Sequence, residues 1–549
     1  MSVRLSLALA ALLCVLMPTG AQEQMPGMKM PAPSPSPLAT PAHKHGAAPS
    51  PSPTPGQMEQ MPGMKMPASS PSPSATPAHK HGAAPSPSPT SGQMEQMPGM
   101  KMPAPSPTPG SMGQMPGMEG SDAKGMEMGP LLVMSDSGMG VRIGSSKSNA
   151  VMSVGQMGSG TSWQPDSSPM YMMDKISGPW LFMFHFNATM GVNSQGGPRG
   201  VTKFESANWF MPIVYRRVGP GTLQLRGMFS AEPFTFPPGG SPLLFQTGES
   251  YRGQPLIDRQ HPHDLFMELS AQYTVPLAER ATWFTYFGYP GEPALGPVAF
   301  MHRASASENP SATLSHHLQD STHIAFGVLT TGFTYRWFKL EGSIFNGREP
   351  DENRYNFDAH KWNSRSARLS FAPRRNWAMQ ISYGFLRSPE NQEPDVDIRR
   401  MTASIQYNKP FHRGNWSSSL IWGRNHLSGH EIHNLNGYTA ESTVNFLDRN
   451  YFYTRLELVD KDELLRAIDR VRLGISQEHP SFRIGAYTFG GARDLWTNDK
   501  LSLAIGGDLT FYSKPAELDV IYGANPVSWK LFLRLRPSKM NMGPHAGHP

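Results

Sequence analysis

The residues best suited to chemistry in this sequence are thioethers and imidazoles repeated at fixed intervals. Met25, Met28 and Met30 form a Met-x-x-Met-x-Met bead. It returns 36 residues later as Met61, Met64 and Met66, and after another 36 as Met97, Met100 and Met102. A shorter copy keeps Met115 and Met118. Two His-x-His pairs, His43 with His45 and His79 with His81, lie between the beads, and Met540, Met542, His545 and His548 repeat the theme near the other end. Thioether sulfur is a soft, neutral donor that favours Cu(I) and Ag(I), while imidazole suits Cu(II). It needs no deprotonation and makes no disulfide, so it serves as a ligand where a thiolate would be oxidised. The expected metal is copper, with Cu(I) favoured and Ag(I) as its soft analogue; no organic cofactor is expected. Low-complexity bias is the ordinary explanation for a tract rich in Met, Pro and Ser. Bias alone does not generate three copies of one bead.

The elements carrying these residues are of unlike kinds. Residues 22–129 hold 24 of the 54 prolines and 16 of the 35 methionines, and the first aromatic of the chain is Trp163. A segment with no aromatic groups to bury cannot offset the entropy of ordering, so 22–129 is expected to be a disordered arm, with its Pro-Ser spacers extended. Residues 1–21 read as a secretory signal: Arg4, an apolar stretch from Leu5 to Met17, then Thr19-Gly20-Ala21. The single cysteine, Cys14, falls inside it. A net charge of +6, with Lys and Arg interspersed among Asp and Glu, argues against a nucleic-acid partner. No later run approaches the twenty apolar residues of a membrane helix.

From Trp180 onward the signal is alternation with period two, the spacing of a strand with unlike faces. Trp180, Phe182, Phe184 and Phe186 share one face, while Leu181, Met183, His185, Asn187 and Thr189 share the other. Trp377 to Phe385, Met401 to Asn408 and Leu501 to Phe511 alternate in the same way, and further segments include 322–337, 470–476 and 528–536. An aromatic, apolar face opposed to a small, polar one predicts an all-β fold, a transmembrane antiparallel barrel with lipid outside and a polar lumen. About 16 strands, within a range of 14 to 18, are expected over 175–537, after a linker at 130–174 and before a tail at 538–549. An even count returns both ends to one side, which for bacterial outer-membrane barrels is the periplasm. The expected location is the outer membrane of a Gram-negative bacterium, with its lipid, metal ions and periplasmic copper-handling proteins as partners. A helix is expected from Asp460 to Ile468.

The order of a Met/His-rich repetitive segment, carried by the beads Met25 to Met30, Met61 to Met66 and Met97 to Met102, followed by an aromatic-rich barrel, resembles the outer-membrane copper-resistance protein B family. That resemblance implies a role in copper tolerance. The barrel also looks like an uncharacterised bacterial outer-membrane family, on the strings Gln260-His261-Pro262-His263-Asp264-Leu265 and Gly291-Glu292-Pro293-Ala294-Leu295-Gly296-Pro297.

Within the barrel, Met183 and His185 are the pair to inspect first, since a thioether beside an imidazole on a lumen face suits copper; plain pore lining is the competing reading. His261 and His263 could hold a metal with Asp264, or form a turn in which Pro262 fixes the backbone. The segment from Gly291 to Ser321, with Met301, His302, His316, His317 and Asp320, is long enough to fold into the lumen, and His323 follows it. No catalytic residue is expected: His261, Asp264 and Ser270 lack any accompanying nucleophile motif. Three functions remain in view. The first is capture of copper or silver on an arm tethered to a barrel, the second a general porin or substrate channel with an incidental arm, and the third a structural tether.

Overall fold

The structure, a computed structural model, describes residues 126–127, 129, 131–135, 138–145, 148–429 and 432–540. The expected signal peptide, the beads, both His-x-His pairs, Met542, His545 and His548 lie outside the described residues.

Sixteen antiparallel strands close into a barrel, as the alternation predicts. The first four are β1 (Trp180–Ser194), β2 (Asn208–Val218), β3 (Gly221–Phe229) and β4 (Phe266–Ala278). Next come β5 (Ala281–Gly288), β6 (Val328–Tyr335), β7 (Phe338–Phe345) and β8 (Ser364–Phe371). They are followed by β9 (Trp377–Leu386), β10 (Asp397–Phe411), β11 (Gly414–Ser428) and β12 (His433–Phe446). The last are β13 (Asn450–Lys461), β14 (Phe482–Thr497), β15 (Leu501–Ser513) and β16 (Val527–Pro537). Closure runs from Trp529↔Ser194 to Leu535↔Ala188. Where β16 leaves β1, the short strand Met172–Ser177 takes over the same edge, from Met172↔His185 to Ser177↔Trp180. Thr202–Glu205 extends the line of β2 along the other edge of β1.

Tight hairpins such as Glu279-Arg280, Arg336-Trp337 and His412-Arg413 occupy one end of the barrel, and long connections occupy the other. The start of β1 and the end of β16 both lie at the short-turn end. Outward positions are apolar and exposed, as at Leu340, Ile381, Leu420 and Leu531. Aromatic rings gather near the short turns, where Trp337, Phe338 and Phe371 touch and Trp377, Tyr407 and Trp416 form a row. An apolar band with an aromatic girdle is the lipid-facing surface of an outer-membrane barrel. No helix among the described residues is long and apolar enough to cross a membrane.

The lumen is filled from both ends. The stretch expected as a linker, 130–174, contributes a small sheet of Leu132–Ser135, Gly138–Arg142 and Val151–Ser153, with Met126–Glu127 at its edge. It packs against inward-facing wall residues: Gly144 N donates to Thr222 Oγ1 (2.9 Å), Arg368 Nη2 to Thr161 Oγ1 (3.0 Å) and Ser167 Oγ to the Asn408 carbonyl (2.9 Å). The β5–β6 connection enters from the long-loop end. Arg303, wholly buried, donates to Glu441 (2.9 Å) and Asp320 (2.7 Å), and Arg455 reaches both Glu441 (2.9 Å) and the Ser311 carbonyl (2.8 Å). The two fillings meet where Ala299 N donates to Ser159 Oγ (2.8 Å). Gly423 makes the docking close: a Cβ there would stand 2.2 Å from the Leu318 carbonyl oxygen.

Two sequence expectations are corrected. Residues 470–476 are not a strand: Ala467–Leu473 is a helix ended by Gly474 in the left-handed region, and Val471, Leu473 and Ile475 mimic strand alternation only by chance of spacing. The helix expected from Asp460 therefore starts later, since Asp460 and Lys461 complete β13. In its place β7 is a strand outside the expected segments, although it alternates like the others, with Lys339 and Glu341 in its inward row. Both point inward, 3.4 Å apart, with Arg368 against Glu341 at 3.0 Å.

Arg303→Met leaves Glu441 and Asp320 buried without this cation, at a cost of about 3–5 kcal/mol. The expected result is protease cleavage within 291–327 while the barrel stays intact; protection equal to the wild type would contradict the docking described.

Candidate functional site

Met183 and His185 do face the lumen, on β1. Register gives them their surroundings. His185 is paired with Met172 on one side and Met211 of β2 on the other, so two methionines flank one imidazole across three adjacent strands. From the β5–β6 connection, the 3-10 turn Phe300–His302 brings the His302 ring to 6.2 Å from that of His185. Trp209 packs on both, at 4.6 and 4.5 Å.

This group belongs to one continuous cluster. Met139, Met170, Met172, Met183, Met211, Met228, Met267 and Met540 are buried in it, and Met134, Met152, Met157 and Met301 pack against it. Met540 is thus the one residue of the expected C-terminal metal set with a described position, joined to Met170 by a backbone hydrogen bond of 2.8 Å. Between residues 302 and 539 the sequence has only Met379 and Met401, both on the outer face of the barrel. The lumen methionines therefore line one wall and the plug against it. Methionine fills irregular gaps well, and two sulfurs here also accept hydrogen bonds, Met157 from Tyr215 (3.1 Å) and Met170 from Gln164 (3.8 Å).

His261 and His263 lie above this wall. His261 Nε2 is 3.1 Å from Glu249, and His263 Nδ1 is 2.8 Å from Glu232. Asp264 faces Arg354 at 3.5 Å instead of closing a metal site with them. Ser270 donates to Glu268 (2.7 Å), away from His261 and Asp264. Around His261 and His263 stand His316, His317 and His323, at ring separations of 5.1 to 6.5 Å, with Phe300 in their midst. A cavity of about 50 Å³ bounded by Trp209, Glu232, His263, Phe300 and Met301 joins the two groups, room for a few waters or an ion. Sequence reading singled out Met183, His185, His261 and His263. It passed over Met172, Met211 and Trp209, although Met211 and Trp209 share the inward parity of β2.

Burial dominates the electrostatics of the connecting loops. It lowers His261, His302 and His323 well below the ordinary histidine value and His316 to about 4. These imidazoles are neutral at pH 7, the form that binds metal. At Asp320 burial acts upward, but Arg303 and His316 outweigh it and hold the carboxyl low. Because the docked His316 binds its proton far more weakly than a free one, acid favours the undocked state. Stability is complete above about pH 6.5 and falls by about 1.4 kcal/mol per pH unit towards pH 4 for this group. Hydrogen exchange across 291–327 should quicken between pH 7 and 4.5 beyond the intrinsic rate change; unchanged or slower corrected exchange would contradict the assignment.

The chain matches no protein-family profile and no curated protein. Among solved structures it is similar to an anion-selective porin from Comamonas acidovorans, at 10% identity and a TM-score of 0.37 over 65% of this chain and 99% of that one. It is likewise similar to OmpT of Vibrio cholerae, at 6% identity and 0.38 over 66% and 100%, and to Salmonella typhi OmpF, at 8% and 0.40 over 66% and 100%.

Proposed function

We propose that the protein handles copper or silver at the outer membrane of a Gram-negative bacterium, gathering the soft ion on the arm and accepting it at the methionine wall of the lumen. One observation carries the reading: Met172, His185 and Met211 stand side by side in register, inside a cluster that also holds Met183, Met301 and Met540. Thioethers and neutral imidazole are the donor set that soft ions select. By the convention of bacterial barrels the short-turn end, where β16 runs out towards Met540, is periplasmic, the side from which the metal arrives on this reading. Repeated weak sites on one tether raise the local ligand concentration and favour recapture of a released ion. Periplasmic copper-handling proteins are the natural donors.

A second reading, a porin or substrate channel with an incidental arm, is favoured by the sixteen-strand architecture and by inward charges such as Arg226, Lys339 and Arg368. The filled lumen stands against an open pore of that kind.

The test is soft-metal binding by the full-length protein and by Met172→Leu/Met183→Leu/Met211→Leu, in which leucine keeps the packing volume. The variant should bind fewer Ag(I) or Cu(I) ions per chain and protect a strain lacking the protein less well from copper. Changing Met25, Met28 and Met30 together should remove one bead and leave the others, and Zn(II) should bind the beads far more weakly than Cu(I). Unchanged Ag(I) stoichiometry and unchanged copper survival in the lumen variant would put the channel reading first.

A further inference from the structure

Most of the five imidazoles above the methionine wall carry a feature that packing alone does not require. Four of them have Nδ1 fixed by an oxygen acceptor from elsewhere in the loops: His263 by Glu232 (2.8 Å), His316 by Asp320 (2.7 Å), His317 by Glu349 (3.2 Å) and His323 by the Asp320 carbonyl (2.8 Å). The opposite nitrogen, Nε2, is buried without a hydrogen-bond partner in His263, His317 and His323. A buried ring nitrogen left unpaired is costly. Here it recurs in three rings of one cluster. An imidazole whose other N–H is held by a carboxylate or carbonyl is the usual arrangement of a metal ligand, because the outer partner sets the tautomer and orients the ring.

The spacing agrees. Two imidazoles bound to one tetrahedral ion at about 2.0–2.1 Å have ring centres about 5 Å apart. The observed separations are 5.3 Å for His263 and His323, 5.1 Å for His316 and His323, and 5.3 Å for His316 and His317. Among the described residues no three His, Cys, Asp or Glu side chains already converge on a common point. The rings have the spacing but not the focus, so metal binding requires them to turn about their side-chain bonds from the anchored orientations. The carboxylates of Glu232, Asp320 and Glu349 place negative charge behind the rings, as a dication needs.

We propose that His263 and His323, with His316, His317 and His261 beside them, form a binding site for a divalent transition ion of the imidazole-preferring class, Zn(II) or Cu(II). The site is separate in donor type from the thioether wall and stands or falls independently of it.

Zn(II) is the discriminating probe, since thioethers offer it little. Full-length wild type and His263→Gln/His323→Gln are titrated with Zn(II) against a chelator in detergent; both carry the same arm, so their difference reports the lumen alone. The expected result is the loss of one Zn(II) per chain, or an affinity at least 100-fold lower, in the variant. Glu232→Gln, which keeps every ligand and alters one anchor, should weaken binding about tenfold. Equal stoichiometry and affinity in wild type and the double variant would overturn the proposal. If that variant does not fold, anomalous diffraction at the zinc edge from the unaltered protein decides. A peak among the five rings supports the site, and zinc found only elsewhere overturns it.

Discussion

Everything in this molecule follows from a bore too wide for its own wall. Sixteen strands enclose more space than their inward side chains fill, and those side chains are polar because the outward row must meet lipid. Arg303, Arg368, Arg534 and Arg536 project into that space, each at most 2% exposed. A buried cation persists only with hydrogen-bonded partners. Arg303 enters on the β5–β6 connection and meets Glu441 of the wall, while the fillings supply Thr161 for Arg368 and Glu308 for Arg534 and Arg536. The plug and the β5–β6 connection are therefore part of the fold's electrostatic balance.

A filled lumen concentrates chemistry. Once the 131–170 segment and the β5–β6 connection are docked, side chains far apart in sequence share one buried compartment. Methionines from the plug, from β1 to β4 and from the C-terminal segment meet there, and imidazoles from two separate connections gather above them. Soft neutral donors and anchored nitrogen donors thus lie in adjacent layers, divided by Trp209, Phe300 and a small cavity.

The barrel was legible because its signal is local. Period-two alternation needs only neighbouring residues, so strand number, lipid face and the inward direction of Met183 and His185 could all be read from sequence. Strand β7 carries the same alternation, with Glu341 of its inward row answering to Arg368 on the next strand, whereas the helix Ala467–Leu473 resembles a strand because three apolar residues at alternate positions look the same in either element. The sites were legible only in fragments. Register decides that Met172 and Met211 flank His185, and register is not written in any one strand. The imidazole cluster depends on where two long connections dock, which no local pattern encodes. The anchors Glu232 and Glu349 lie 31 and 32 residues from the histidines they hold.

On the proposed reading the lumen is a closed, donor-lined compartment and not an open solute pore. Single-channel recording of the full-length protein in a planar lipid bilayer tests it most directly. At neutral pH and without added metal the bilayer should show no steady open-pore conductance, because the plug and the β5–β6 connection together occupy the bore. A constant, ohmic conductance of porin type under those conditions would contradict the account.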